Sequence, residues 1–178
     1  DHPRVVGSRW GQADLARNQG LISRLDGDDD TLRNAIKSRE TDRLGEYFEI
    51  LIRTWLDEIP PAKLLAAGLQ VFESARTVGE FDLVFRRDRR VFHWELAVKF
   101  YLGHPGPDGE SFWYGPNPRD RLDKKWRKML DKQLALSKHP AGRRALQKLG
   151  IGEKVEPSAF LRGYLFEPLE SSDRKSVV

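Results

Sequence analysis

The chain has 178 residues, 39% of them apolar and 33% charged, and it contains no cysteine. A chain of this length buries a core without disulfides or a structural metal, and the lack of thiols excludes disulfide scaffolds, thiolate zinc sites, iron–sulfur clusters and cysteine nucleophiles. No apolar run approaches the ~20 residues of a membrane-spanning helix and no secretory signal opens the chain, so the expectation is one soluble, cytoplasmic domain with no membrane partner.

Residues 1–40 read as an irregular or weakly helical extension, with Leu15, Leu21, Ile22 and Leu25 ahead of an acidic turn from Asp26 to Asp30. That turn lacks the alternating ligand spacing and terminal Glu of a calcium loop. A clear amphipathic helix follows, because Leu44, Tyr47, Phe48, Leu51, Ile52, Trp55 and Leu56 recur with helical period. Thr41 is placed to cap its start, and Pro60-Pro61 ends it. Glu49 falls on the margin of the apolar stripe, where a carboxylate can point along the core.

The period then changes from 3.6 to 2. Leu69–Phe72, Thr77–Arg86 and Val91–Leu102 read as strands, the last two joined by the turn Arg87-Asp88-Arg89-Arg90 into an antiparallel hairpin. Alternation puts Phe92, Trp94, Leu96, Val98, Phe100 and Leu102 on one side of the third strand, and His93, Glu95, Ala97, Lys99 and Tyr101 on the other. Residues 103–118 read as a glycine- and proline-rich loop whose His104, Trp113 and Tyr114 either stack on bases or anchor the loop. Asn117-Pro118 starts a second helix that runs to about Lys138, with Leu122, Trp126, Met129, Leu130, Leu134 and Leu136 inward. Pro140-Ala141-Gly142 interrupts it, Arg143–Leu149 adds a short helix, and Phe160–Phe166 is a final strand.

Charge is uneven along this order. Between Arg119 and Lys154 stand twelve Lys or Arg against four Asp or Glu, a net of +8 in a chain whose total is +4. Such a zone suits a polyanion, most often nucleic acid, although a solvated helix face gives the same pattern.

Several polar groups sit where packing alone would not put them. If alternation holds, Glu80 and Asp82 share a face of the second strand, opposite Phe81, Leu83 and Phe85, while Glu95 and Lys99 share a face of the third. Gathered carboxylates repel, and their coexistence needs a cation or shifted pKa values. Oxygen-rich sites of that kind suit Mg²⁺ or Mn²⁺. The plainer alternative is a face open to water, with Glu95 and Lys99 a loose surface pair. Gln133 falls in the middle of the second helix's inward face. A buried amide without a partner costs about 1–3 kcal/mol, so it reaches either a polar neighbour or a bridging water. Asp123 lies at the border of the same stripe, and His93 shares Glu95's face as a candidate lining residue or an ordinary strand histidine.

Glu49, the run Gly79-Glu80-Phe81-Asp82 and the run His93-Trp94-Glu95-Leu96-Ala97-Val98-Lys99 resemble the PD-(D/E)XK nuclease superfamily, whose core is similar to the helix, three strands, helix, strand order read above. More closely, Leu44-Gly45-Glu46-Tyr47-Phe48-Glu49, the run Trp94–Leu102, Gly115-Pro116-Asn117 and Asp120-Arg121-Leu122-Asp123 resemble a bacterial family known only as a domain of unknown function (number 1853). The resemblance spans roughly residues 41–166. It implies an α/β fold with a restriction-endonuclease-like αβββαβ core, a central mixed sheet flanked by helices, between an extension (1–40) and a disordered tail (167–178). By the same resemblance Asp82 and Glu95 are metal-binding acids, Glu49 is the first-helix acid, Glu80 is an additional acidic neighbour, and Gln133 looks like the glutamine that approaches the metal in related nucleases. The superfamily's lysine stands two residues after the strand acid, which here is Ala97. Lys99 lies four residues on, about 13 Å along the strand, and Lys125 on the second helix is the alternative.

The function these readings imply is a metal-dependent, nuclease-like phosphodiesterase acting on DNA or RNA. Asp82, Glu95 and either Glu49 or Glu80 would hold one or two Mg²⁺ or Mn²⁺, with Lys99 or Lys125 offsetting charge. Arg119, Arg121, Lys124, Arg127, Lys128 and Lys132 would hold the sugar–phosphate backbone. The alternative is a catalytically inactive nucleic-acid-binding module on the same fold, which Ala97 favours; a third reading is a small-molecule or protein-interaction domain whose basic zone is only solvated surface.

Overall fold

The computed structural model describes residues 4–6, 12–27, 29–37, 43–106 and 110–168. Within the extension, read as irregular or weakly helical, it shows three short helices, α1 (Gln12–Arg17), α2 (Gln19–Gly27) and α3 (Asp29–Lys37). The acidic stretch from Asp26 therefore straddles the junction of α2 and α3. Asp14 ties this layer down: it is buried and accepts a 2.7 Å bond from Arg87 Nη2. Helix α4 (Leu44–Glu58) forms as expected and buries Leu56 of the expected stripe together with Ile50 outside it, while Leu44 at its start is exposed. The proposed cap Thr41 and most of the tail, residues 169–178, lie outside the described residues. Among the described residues no helix is long and apolar enough to cross a membrane.

The fold is a mixed α/β arrangement, a central mixed sheet flanked by helices. After the short β1 (Arg4–Val5) come β2 (Ala62–Glu73), β3 (Arg76–Arg87), β4 (Arg90–Pro105), β5 (Ser111–Tyr114) and β6 (Val155–Phe166). The order is β1-β6-β4-β3-β2, with β5 also on β4; β4 and β6 are parallel, as are β1 and β6, and the other pairs are antiparallel. β2 begins seven residues before the sequence periodicity indicates. Residues 103–118 hold the end of β4 and all of β5 rather than one long loop, and Trp113 packs across Gly103.

The two faces of the sheet carry different layers. Leu56 of α4 packs with Leu83, Phe85, Trp94, Leu96 and Phe160 on one face. On the other, Val71, Phe81, Val84 and Val91 meet Leu136, Ala141 and Leu146, and Ala97 and Ala159 meet Met129 and Leu134. Phe81 and Leu83 thus face opposite sides, which corrects the simple alternation expected of β3. The break falls at Asp82, and β2 breaks in step: Ala67 packs with the α4 layer and Leu69 with the other, across Gly68 at φ +60°. Glycine adopts that left-handed backbone at little cost, so it is suited to the kink opposite Asp82.

This kink opens the sheet. β3 pairs with β4 only from Arg90 to Trp94, and β5 rejoins the same edge at Leu102. Among the described residues, positions 95–101 of β4 have no strand partner on that side, whereas β6 stays paired along their other side.

The second helical region differs from the single helix expected. Asn117 caps a turn through Arg119 N, and α5 covers only Leu122–Lys128. A π-helical turn (Met129–Gln133), a 3₁₀ turn (Leu136–Lys138) and α6 (Pro140–Lys148) follow. α6 begins close against its neighbours: a Cβ on Gly142 would lie 1.9 Å from the Leu136 carbonyl oxygen. Gly142→Ala is therefore expected to destabilise the domain by about 2 kcal/mol or more, whereas Gly152→Ala, with open space around it, should stay within about 0.5 kcal/mol. Chemical denaturation checks both, and equal effects would contradict the packing of α6.

Candidate functional site

The gap between β3 and β4 collects the polar groups of the interior. Asp82 turns its carboxylate into the gap, where Oδ2 accepts a 2.8 Å bond from Leu96 N, the amide that a continuing ladder would have paired. Glu95, on β4's face opposite α4, is fully buried. Its Oε1 meets His93 Nε2 at 2.7 Å, and its Oε2 accepts from Gln133 Nε2 on the π-helical turn. Gln133 Oε1 in turn accepts from Lys125 Nζ at 3.4 Å. The π turn closes the Leu134 N to Met129 O bond at 2.8 Å and sets Gln133 over Glu95. Burial of Glu95 and the placing of Lys99 overturn the reading of this face as open to water with a loose Glu95–Lys99 pair.

The charges report on one another. Burial first, then repulsion by Glu95, pushes the Asp82 carboxyl up to about 7; the Leu96 amide and His93 oppose that, and Glu80 adds to it last. Burial likewise pushes Glu95 up to about 7, against the pull of Lys125 and Gln133. His93 is driven down to about 4 by burial, so it is neutral at pH 7. Burial, then the neighbouring Lys99 and Lys128, lowers the proton affinity of Lys125.

The sequence candidates separate accordingly. Asp82, Glu95, Gln133 and Lys125 come together. Lys99 turns instead to Asp120, its Nζ 2.7 Å from Oδ2, while the Tyr101 hydroxyl donates to Oδ1 at 3.2 Å. Glu80 is exposed and acts on Asp82 only through charge. Glu49 stands on α4, whose layer covers the sheet face away from Glu95. Arg119, Lys124, Arg127, Lys128 and Lys132 are exposed, and no described carboxylate pairs with them; Arg121 pairs with Asp123 and lies over the Phe112 and Tyr114 rings.

His93, named as a candidate lining residue or an ordinary strand histidine, is buried against Glu95 two residues on. Asp120 was missed, because nothing local marks it as the partner of Lys99 and Tyr101.

The donor set tests what the site could hold. Two adjacent carboxylates, half-protonated near neutrality through desolvation and mutual repulsion, suit a hard divalent cation. Among the described residues no group of three His, Cys, Asp or Glu is arranged to hold a metal, so a cation here would rest on the Asp82–Glu95 pair. Mg²⁺ commonly binds through one or two carboxylates and completes its shell with water and phosphate oxygens.

A family model described as Domain of unknown function (DUF1853) matches residues 1–177, and the chain belongs to that family. No curated protein and no solved structure matches it.

Both carboxyls hold protons in the fold that they release when unfolded, so without metal their contribution to stability falls as pH rises from about 4 to about 7. His93 acts oppositely below its ordinary value near 6.5. Asp82→Asn keeps an acceptor for Leu96 N and leaves His93 in place. It should be more stable than the unmodified protein by about 2 kcal/mol at pH 8, with the gap closing below pH 4. Urea melts across this range check it; a constant gap would contradict a mutually repelling pair.

Proposed function

We propose, for a chain that belongs to this family of unknown function, that it is a metal-dependent phosphodiesterase of the nuclease type acting on DNA, with RNA as the alternative polymer. The observation that carries this reading is the convergence of Asp82, Glu95, Gln133 and Lys125 at the opening between β3 and β4. The α4, β2–β4, α5–α6, β6 order and the parallel β4–β6 pair support reading the core as restriction-endonuclease-like.

Asp82 and Glu95 would hold the Mg²⁺ or Mn²⁺, leaving Glu49 and Glu80 outside the ligand pair. When bound, the ion supplies an acidified water and neutralises charge on the phosphoryl oxygens. His93 and Gln133 each hold one oxygen of Glu95 and so fix its carboxylate. Lys125 takes the place of the lysine missing at Ala97: its ammonium lies beside Gln133 and within the field of both carboxylates, placed to meet a developing phosphorane charge. Lys99, held by Asp120, borders the same cleft as Lys125. The exposed cations of residues 119–132 hold the polymer's phosphates without reading its bases.

One specific observation favours a second reading, a nucleic-acid-binding module without turnover. Both Glu95 oxygens already accept or share a hydrogen bond within the protein, and Ala97 stands at the usual lysine position.

Cleavage of plasmid and single-stranded DNA in Mg²⁺ separates the two. The enzyme reading expects EDTA to abolish cleavage, Asp82→Ala or Glu95→Ala to lower it about 100-fold or more, and Lys125→Ala about 10–100-fold. Undiminished cleavage in either carboxylate variant excludes the assignment; salt-sensitive binding with no cleavage selects the second reading. Both readings expect Lys124→Gln or Lys128→Gln to reduce the slope of log K against log salt by about 1. A salt-independent affinity contradicts both.

A further inference from the structure

The C-terminal halves of β4 and β6 and helix α5 border a cleft of about 330 Å³. Its walls are largely apolar, with Leu122, Trp126, Met129 and Leu161 among them, and Lys99 and Lys125 stand in its lining. Gly163 keeps the β6 side flat: at φ +141° it pairs with Lys99, and a Cβ there would fall 1.6 Å from the Lys99 carbonyl oxygen.

We propose that this cleft receives a single unstacked nucleobase, its plane against Trp126 and its phosphate on Lys99 and Lys125, so that the substrate is single-stranded or frayed nucleic acid rather than intact duplex. The inference rests on the nucleic-acid reading above and adds the strand state of the substrate to it.

Three observations carry it. The volume is at the lower end of small-ligand sites, which fits one nucleotide and excludes a stacked base pair. Apolar walls with one indole offer what a base's face needs, and stacking on an aromatic ring holds any base without reading its edge. Cations border the cleft: Asp120 pairs with Lys99, whereas no described carboxylate lies within ion-pair distance of Lys125 or Arg162, and Glu95 and Asp82 act on Lys125 only from beyond that distance. A phosphate between Lys99 and Lys125 would ease the repulsion between these two lysines, at the end of the hydrogen-bond chain that leads through Gln133 to Glu95. An apolar cleft with cations at its border also suits a fatty acid, but the exposed basic stripe of α5 continues from Lys125 and follows a polymer better than a lone head group.

Fluorescence anisotropy of a labelled oligothymidylate of about ten nucleotides, and of a duplex closed at both ends by hairpins, tests this with Ca²⁺ in place of Mg²⁺. The single strand is expected to bind about 10-fold more tightly than the closed duplex, and thymidine 5′-monophosphate should displace it from the unmodified protein. Trp126→Ala should weaken single-strand binding about 10-fold while changing duplex binding less than about twofold, and Trp126→Tyr should restore most of the loss. Equal affinity for the two probes, or displacement by decanoate and not by the nucleotide, overturns the base cleft and leaves the nuclease reading standing. Binding of neither probe overturns both.

Discussion

Where the ladder between β3 and β4 stops, at the pair Leu83–Trp94, the amide of Leu96 is left without a strand partner and takes the Asp82 carboxylate instead. A buried amide must find an acceptor, since leaving it bare costs as much as losing a hydrogen bond. Asp82 therefore has a structural duty that fixes its position. The kink that frees it is shared by two strands: Gly68 turns β2 over and Asp82 turns β3 over, so Phe81 and Leu69 change layers together. Everything polar in the site lies downstream of this opening, because a continuous sheet would seal the edge of β4 from residue 95 to residue 101.

The helices on the far side complete what the opening begins. Glu95 points away from α4 into a space that would otherwise be filled by apolar side chains such as Ala97, Met129 and Leu134. A charged carboxylate there is costly unless hydrogen-bonded, and the π-helical turn delivers Gln133 to meet that need while Lys125, eight residues earlier, reaches the other end of the amide. His93 bonds the second oxygen and packs edge-on against Phe81, its ring centroid 4.6 Å from that of the phenylalanine. The acid is thus clamped from two sides before any ligand arrives. On the proposed metal reading, this clamp presents the remaining lone pairs of Glu95 in a fixed place.

Much of this was legible in the residues themselves. The recurrence from Leu44 to Leu56 marks α4, the alternation from Val91 to Leu102 marks β4, and an amide on an otherwise apolar helix stripe marks Gln133 as needing a partner. The same reasoning failed where a period is broken. Strict alternation put Phe81 with Leu83 and left Glu80 and Asp82 on one face, because a phase change across Gly68 and Asp82 has no local signature beyond one glycine. The region from Asn117 to Lys138 looked like one helix because a turn, a short α-helix and a π turn keep similar apolar spacing. The pairing of Lys99 with Asp120 depends on β5 returning along β4, a contact between segments that each read as loop or helix start.

On the proposed reading, Asp82 and Glu95 form one cation site whose protons the metal displaces. Calorimetric titration of Mn²⁺ at pH 7, in two buffers of different ionisation enthalpy, measures this directly. Saturable binding with release of about one proton per ion is expected, since a ligand carboxyl must ionise to coordinate. Absence of saturable binding, or binding with no proton released, would contradict a metal seated on this pair.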